Sequence, residues 1–327
     1  MFILSDIHLR EETAAIVFGE VLPGIRKAMW DAKETHLAIL GDVFHIRYSV
    51  SVDLLNRLTD FLADITLKDS VRVSILPGNH DQINVEGRNA LEVLSHINGV
   101  IVHNEPVREG LAVWFPYRKP ARVEYFMASV FGDRIPIKRP DVLFIHHGIK
   151  GAWMNDGYQD PDGLDPKIFK GFKKIICGHY HKPQELGDLI VYVGSPYQID
   201  AGEAGQPKGY GIWDGKKYEF VPMRWGPRYH LIDLKEGEHF DIADIDSRDE
   251  VRVTTANQKQ AEEIGKLLAG PMHVRKHTVT PRVETNEARL QPANESISSY
   301  AMAYLNALAS PDMDREKLAQ LFQEITA

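Results

Sequence analysis

Five short motifs in the first 181 residues bring together carboxylates, imidazoles and one amide: Asp6-Ile7-His8, Gly41-Asp42, Gly78-Asn79-His80-Asp81, His146-His147 and Gly178-His179-Tyr180-His181. Each follows an apolar run. Asp6 and His8 stand two apart, so on an extended chain their side chains point the same way and can grip one cation. His179 and His181 repeat that spacing. Asp42 has two carboxylate oxygens, so one side chain can bridge two ions. Asn79 adds an uncharged oxygen after Gly78, which relaxes a tight turn, and His146 adds an imidazole. Nitrogen and oxygen donors without thiolate suit manganese, iron, zinc or cobalt, and a site this rich in imidazole disfavours calcium. A pair of divalent ions held this way is suited to hydrolysing phosphate esters, because it activates water and holds the charge that develops on the phosphoryl oxygens. His80 stands apart from the donors. With Asn79 on a metal, its imidazole is free to protonate or position the leaving oxygen, and Asp81 can orient it by accepting a ring N–H. Any one of these motifs is an ordinary turn or a structural histidine by itself. All five in this order point to one site.

Strands and helices must bring the motifs together. Residues 1–225 alternate strand-like runs, at 2–4, 37–40, 71–76, 100–102, 111–115, 142–145, 174–177 and 189–193, with stretches of helical spacing. Leu54, Leu55, Leu58, Leu62 and Ile65 make one such stretch, and Leu91, Leu94 and Ile97 another. The alternation predicts an α/β layer architecture. Five of the runs lead directly into a motif. Ligands of α/β sheets gather at the carboxyl ends of strands, so the motifs can converge on one crevice.

The rest of the chain divides further. Strand-like runs at 230–234, 251–254 and 273–280, with a helix over 259–268, predict a smaller α/β unit at 228–282 beside a main domain at 1–227. Residues 283–296, with Asn286, Pro292 and Asn294 among several charges, read as a linker. In 297–327, Ile297, Tyr300, Ala301, Tyr304, Leu305 and Leu308 recur at helical spacing. Leu318, Leu321, Phe322 and Ile325 do the same after Ser310-Pro311-Asp312, giving a pair of amphipathic helices.

Bulk properties bound the function. A chain of 327 residues with 43% hydrophobic and 26% charged residues buries a real core, in about two domains of roughly 100–200 residues each. The single cysteine, Cys177, rules out an intrachain disulfide framework. Residues 1–4 are already strand-like and run into Asp6, so no signal segment precedes the first motif, and a cytoplasmic protein is expected. No apolar run nears the roughly 18–20 residues of a membrane span. A net charge of −8 argues against a general electrostatic DNA-binding protein. It leaves room for a nucleic-acid enzyme, whose acidic metal ligands count in that total while the metals do not. Basic clusters at Arg134, Lys138 and Arg139, at Lys167, Lys170, Lys173 and Lys174, and at Arg224 and Arg228 read as solvated faces.

The motifs resemble those of the calcineurin-like metallophosphoesterase superfamily over residues 1–225, and within it the SbcD-type nuclease subunits of bacteria and phages. Three features carry the finer likeness: Gly41-Asp42-Val43-Phe44-His45; the Asp that ends Gly78-Asn79-His80-Asp81; and Gly194-Ser195-Pro196-Tyr197-Gln198 followed by Glu203 and Lys208-Gly209-Tyr210. The resemblance implies a four-layer α/β/β/α sandwich with a small α/β capping domain and C-terminal helices. It implies two manganese ions, one on Asp6, His8, Asp42 and His181 and the other on Asp42, Asn79, His146 and His179, with His80 as the catalytic histidine. His146 is chosen over His147 because the family pattern His-x-Gly-Val matches His146-His147-Gly148-Ile149. His147 and His45 are then neighbours of the metals. The resemblance further implies a metal-dependent DNA nuclease, exonucleolytic on duplex ends and endonucleolytic on single strands or hairpins, that acts in repair or recombination. Its implied partners are DNA, an SbcC-type coiled-coil ATPase docked on 297–327, and a second copy paired through about residues 84–97. A small-molecule phosphodiesterase or pyrophosphatase of the same superfamily is the alternative, and it leaves the last 100 residues without a purpose. His80→Ala is expected to keep both metals and lose most turnover; metal analysis alongside ester hydrolysis checks this, and loss of metal would make His80 a ligand or scaffold residue.

Overall fold

The protein is described from a computed structural model over residues 1–84, 88–130, 140–155, 157–270, 272–274 and 276–282. The expected linker and helix pair at 283–327, and the basic residues Arg134, Lys138 and Arg139, lie outside the described residues.

Two six-stranded sheets form the body. The first runs in the order Tyr218–Met223, Lys208–Trp213, Phe2–Leu4, His36–Leu40, Arg72–Leu76, Val100–Val102. Its last four strands are parallel. The second runs Gln184–Leu186, Ile190–Tyr192, Lys174–Gly178, Val142–His146, Ala112–Phe115, Val107–Glu109, with the four central strands parallel. Side chains alternate between faces along a strand, and the packing follows that period. Ala38, Leu40, Leu76, Val142, Phe144 and Ile176 share one cluster, which is the layer between the sheets. Leu37, Ile39, Val73 and Ile75 point the other way and are covered by helices Leu22–Ala32 and Val52–Lys68. Leu143, Ile145, Ile175 and Cys177 face outward on the second sheet, under helix Pro120–Val130. The result is helix, sheet, sheet, helix. Strands buried on both faces need continuous apolar runs, which is why the sequence shows runs rather than alternation.

Elements differ from the sequence reading in detail. The run at 142–145 extends through His146, which pairs with Gly178 in the ladder. The spacing at 91–97 forms a 3-10 helix, Glu92–His96. Helix Leu22–Ala32, not expected from the sequence, continues directly from helical turns over Ala14–Val21 and carries Pro23 and Gly24 in its first turn. Proline fits a first helical turn, and Gly24 lets Trp225 pack close, since a Cβ there would stand 2.7 Å from the indole nitrogen.

Residues beyond the body build a three-stranded sheet, Tyr229–Asp233, Glu250–Thr255 and Lys276–Pro281, with helix Gln258–Ala269 and a core of its own around Val251, Val253, Ile264 and Leu268. It belongs to the same compact unit, Met1–Thr280. Tyr229 N–H donates to Gln198 Oε1 at 2.7 Å and Arg248 pairs with Glu20 at 2.9 Å across the junction.

The parallel strands of both sheets end at the same edge, and there the sheets approach closely. A Cβ on Gly178 would stand 2.2 Å from the Leu40 carbonyl oxygen and 2.3 Å from Ser5 Oγ. Gly178→Ala is therefore expected to lower stability by about 1–3 kcal/mol through overpacking. Gly265→Ala, in helix Gln258–Ala269 with open space around it, should raise stability by about 0.5–1 kcal/mol. Urea midpoints of the two variants check the opposite signs.

Candidate metal centre

The seven residues expected as ligands meet in one pocket at that edge. Three groups of potential donors form there, each with its donor atoms within 4.8 Å of one another; two contain a carboxylate, Asp6 with His8 and His181, and Asp42 with His146 and His179, while the third is His8 with His45 and His80. His8 Nε2 and His181 Nε2 lie 3.0 Å apart. Asn79 Oδ1 lies 3.1 Å from His146 Nε2 and 2.9 Å from His179 Nδ1. Asp42 stands between the groups, with Oδ2 at 3.3 Å from His146 Nε2 and 3.7 Å from His8 Nε2. Its other oxygen accepts from the His80 amide at 2.7 Å. Four of these residues have positive φ: Asp6 at 51°, His8 at 47°, Asp42 at 50° and His179 at 101°. A left-handed conformation in non-glycine residues costs on the order of 1–3 kcal/mol each and marks sites where geometry is imposed. Backbone bonds impose it here. Asp6 N–H donates to the Gly41 carbonyl at 3.1 Å, His8 N–H to the Asp42 carbonyl at 2.9 Å, and His179 N–H to Asp6 Oδ1 at 3.1 Å.

The donor set fits divalent cations. Burial holds His8 well below its usual range and His179 down to about 3, so both are neutral with a lone pair to offer. Burial also opposes charge on His146, but Asp42 beside it outweighs this and raises it to about 9. A pocket whose carboxylates draw a proton onto a fully buried histidine favours positive charge. With oxygen and nitrogen donors and no sulfur, Asp6, His8, Asp42 and His181 would hold one ion, and Asp42, Asn79, His146 and His179 the other.

His80 lies beside the first group, half-buried, with its ring centroid 4.9 Å from that of His8. Its Nδ1 is 2.8 Å from the His45 carbonyl oxygen. This corrects the expected role of Asp81. The Asp81 oxygens accept instead from the amides of Phe44, at 3.0 Å, and Gly78, at 2.9 Å. The buried side chain is turned into the loops that carry Asp42 and Asn79, and burial, with Asp42 nearby, lifts it to about 7. His45 places Nδ1 3.1 Å from His8 Nδ1 and has Arg10 at 3.3 Å on its other nitrogen. His147 turns away: its nitrogens meet the carbonyls of Gly148, at 3.1 Å, and Arg118, at 3.0 Å.

Some neighbours carried no signal in the sequence. Tyr117 stacks on His147 at 5.1 Å and on His179 at 6.2 Å. Its one sequence cue is its place just after the strand Ala112–Phe115 at the same edge. Tyr180 donates to Asp160 Oδ2 at 2.5 Å and Trp225 is buried, so both are packing residues, while Trp153 remains 40% exposed. Lys173 and Arg224 are ion-paired with Asp141 and Asp249.

Residues 2–199 match the calcineurin-like phosphoesterase family. Relatives of the chain include "Exonuclease subunit 1" of Enterobacteria phage T4, 24% identical over 98% of this chain and 97% of the relative. They also include a subunit of the nuclease SbcCD from Staphylococcus saprophyticus, 21% identical over 63% of this chain and 62% of the relative. The family match spans the strand ends from Asp6 to His181 that build the pocket, so the chain belongs to the calcineurin-like phosphoesterases, a family that binds divalent metals.

Proposed function

We propose that the protein is a DNA nuclease that uses two divalent metal ions, manganese foremost, to hydrolyse phosphodiester bonds in repair or recombination. The observation that carries the metal part is Asp42, placed between two donor groups so that one carboxylate can serve both. Two ions bound there supply Lewis-acid charge to a phosphate and lower the pKa of water. The chain does the rest. Asp6, His8, Asp42, Asn79, His146, His179 and His181 would hold the ions. The His45 carbonyl accepts from His80 Nδ1–H, which turns Nε2 outward. In its protonated form His80 then presents Nε2–H to the leaving oxygen. Asp81 keeps the loops of Asp42 and Asn79 in register through their amides.

DNA as the substrate is supported by the relatives, both named as nuclease or exonuclease subunits, and above all by the phage relative, whose similarity runs through the C-terminal third. A small-molecule phosphodiesterase has no use for that third. We assign residues 228–282 a capping role over DNA, and residues 297–327 the docking of an SbcC-type ATPase, in a homodimer. Among the described residues no helix is long and apolar enough to cross a membrane. Cys177 is buried and free, which suits the cytoplasm.

With manganese, the protein is expected to degrade end-labelled duplex DNA and to turn over bis-p-nitrophenyl phosphate. Turnover of the small ester with DNA left intact, even with the ATPase present, would defeat the nuclease reading. Chelation should abolish both activities, and added manganese should restore them. Asp42→Asn should lower turnover at least about 100-fold, as expected when a metal-activating group is lost. Leu305→Asp with Leu308→Asp should release the ATPase on gel filtration and leave ester hydrolysis unchanged.

A further inference from the structure

A histidine that binds a metal through one nitrogen has its orientation set by what the other nitrogen meets. The histidines of the pocket differ in this respect. His146 Nδ1 is held by the Leu40 carbonyl at 2.7 Å and His8 Nδ1 faces the His45 imidazole at 3.1 Å. His181 Nδ1 meets a carboxylate, Glu203 Oε1, at 2.6 Å. Glu203 is buried, and its other oxygen accepts from the Ile199 amide at 2.9 Å and pairs with Lys208 Nζ at 2.8 Å. Lys208 is 4% exposed. Its ammonium also donates to the His181 carbonyl at 2.8 Å and to Ser195 Oγ at 2.9 Å. One buried ion pair thus grips both the ring and the main chain of His181. A buried pair is costly to desolvate and contributes little net stability, so a stabilising role does not account for it.

We infer that Glu203 and Lys208 are positioning residues for His181, and that they make the two metal positions unequal. The inference rests on the two-metal reading. Glu203 keeps the proton on Nδ1 and so presents the Nε2 lone pair to the group formed with Asp6 and His8. Lys208 fixes the carboxylate in place. The group of Asp42, His146 and His179 has no such carboxylate among the described residues. The position on His181 therefore depends on Glu203 for the orientation and tautomer of its imidazole, while the other does not.

Calorimetric titration of manganese into the metal-free, full-length protein tests this. Wild type should take up two ions. Glu203→Gln combined with Lys208→Met removes both charges together and should weaken one binding step about 10–100-fold, leaving the other within about twofold. Glu203→Asp keeps the pair with Lys208 but draws the carboxylate back from the ring, and should give the same selective loss if the double variant fails to fold. The low-field Nδ1–H resonance of His181 in the metal-free protein should vanish in either folded variant. Two unchanged steps, or equal weakening of both, in a folded variant would overturn the inference and leave the two-metal reading standing. Failure of wild type to bind two ions would overturn that reading itself, and this inference with it.

Discussion

The hydrogen bond from His146 Nδ1 to the Leu40 carbonyl joins the ends of the two sheets, and the pocket depends on that closeness. His146 ends a strand of the second sheet, and Leu40 ends a strand of the first. At this separation no side chain fits at Gly41 or Gly178, where a Cβ would lie 2.3 Å from His146 Nδ1 or 2.2 Å from the Leu40 carbonyl oxygen. The glycines of the motifs are thus spacers. They let Asp6, His8 and Asp42 from the first sheet and His146, His179 and His181 from the second bring their donor atoms into one small volume.

Close approach concentrates charge in a buried place, and the structure answers with fixed dipoles. Asp6 takes the His179 amide and Ser5 Oγ, Asp42 takes the His80 amide, and Asp81 takes the amides of Phe44 and Gly78. Left-handed backbone at Asp6, His8, Asp42 and His179 is the geometric cost of aiming these groups inward. It is held by a packed interior on three levels, since the clusters outside and between the sheets consist of buried hydrophobic side chains.

Beyond the pocket, the chain secures its histidines by three kinds of partner: a main-chain carbonyl for His146, another imidazole for His8, and a buried carboxylate for His181. The last comes from the segment after the final histidine pair, through Glu203, Lys208 and Ser195. That segment also carries Tyr197, whose hydroxyl donates to the Ile7 carbonyl at 2.6 Å, between Asp6 and His8. A stretch remote in sequence from the first motif therefore fixes both its backbone and the histidine opposite it.

The parallel strands of both sheets and the donor residues that end or follow them were legible in the sequence, whereas the antiparallel strands Val107–Glu109, Gln184–Leu186, Lys208–Trp213 and Tyr218–Met223 were not. A run of apolar residues makes a strand, which is a local property, but the spacing of two did not set a common face: Asp6, His8 and His179 lie past the strand ends with positive φ, and His179 and His181 join different donor groups. Helix Leu22–Ala32 went unread between the runs at 2–4 and 37–40: Pro23 and Gly24 lie inside a longer helical stretch that already begins at Ala14. Asp81 was assigned to the wrong partner: adjacency to His80 suggested a contact, whereas the turn directs its oxygens at Phe44 and Gly78. Residue types and their spacing already told which atoms could bind metal and in what order they arrive. Folding alone placed Asp42 between the two groups, His80 on the His45 carbonyl, and His181 on Glu203. Those three facts depend on the distance between two sheets and on the return of a segment across them, and no local spacing encodes either.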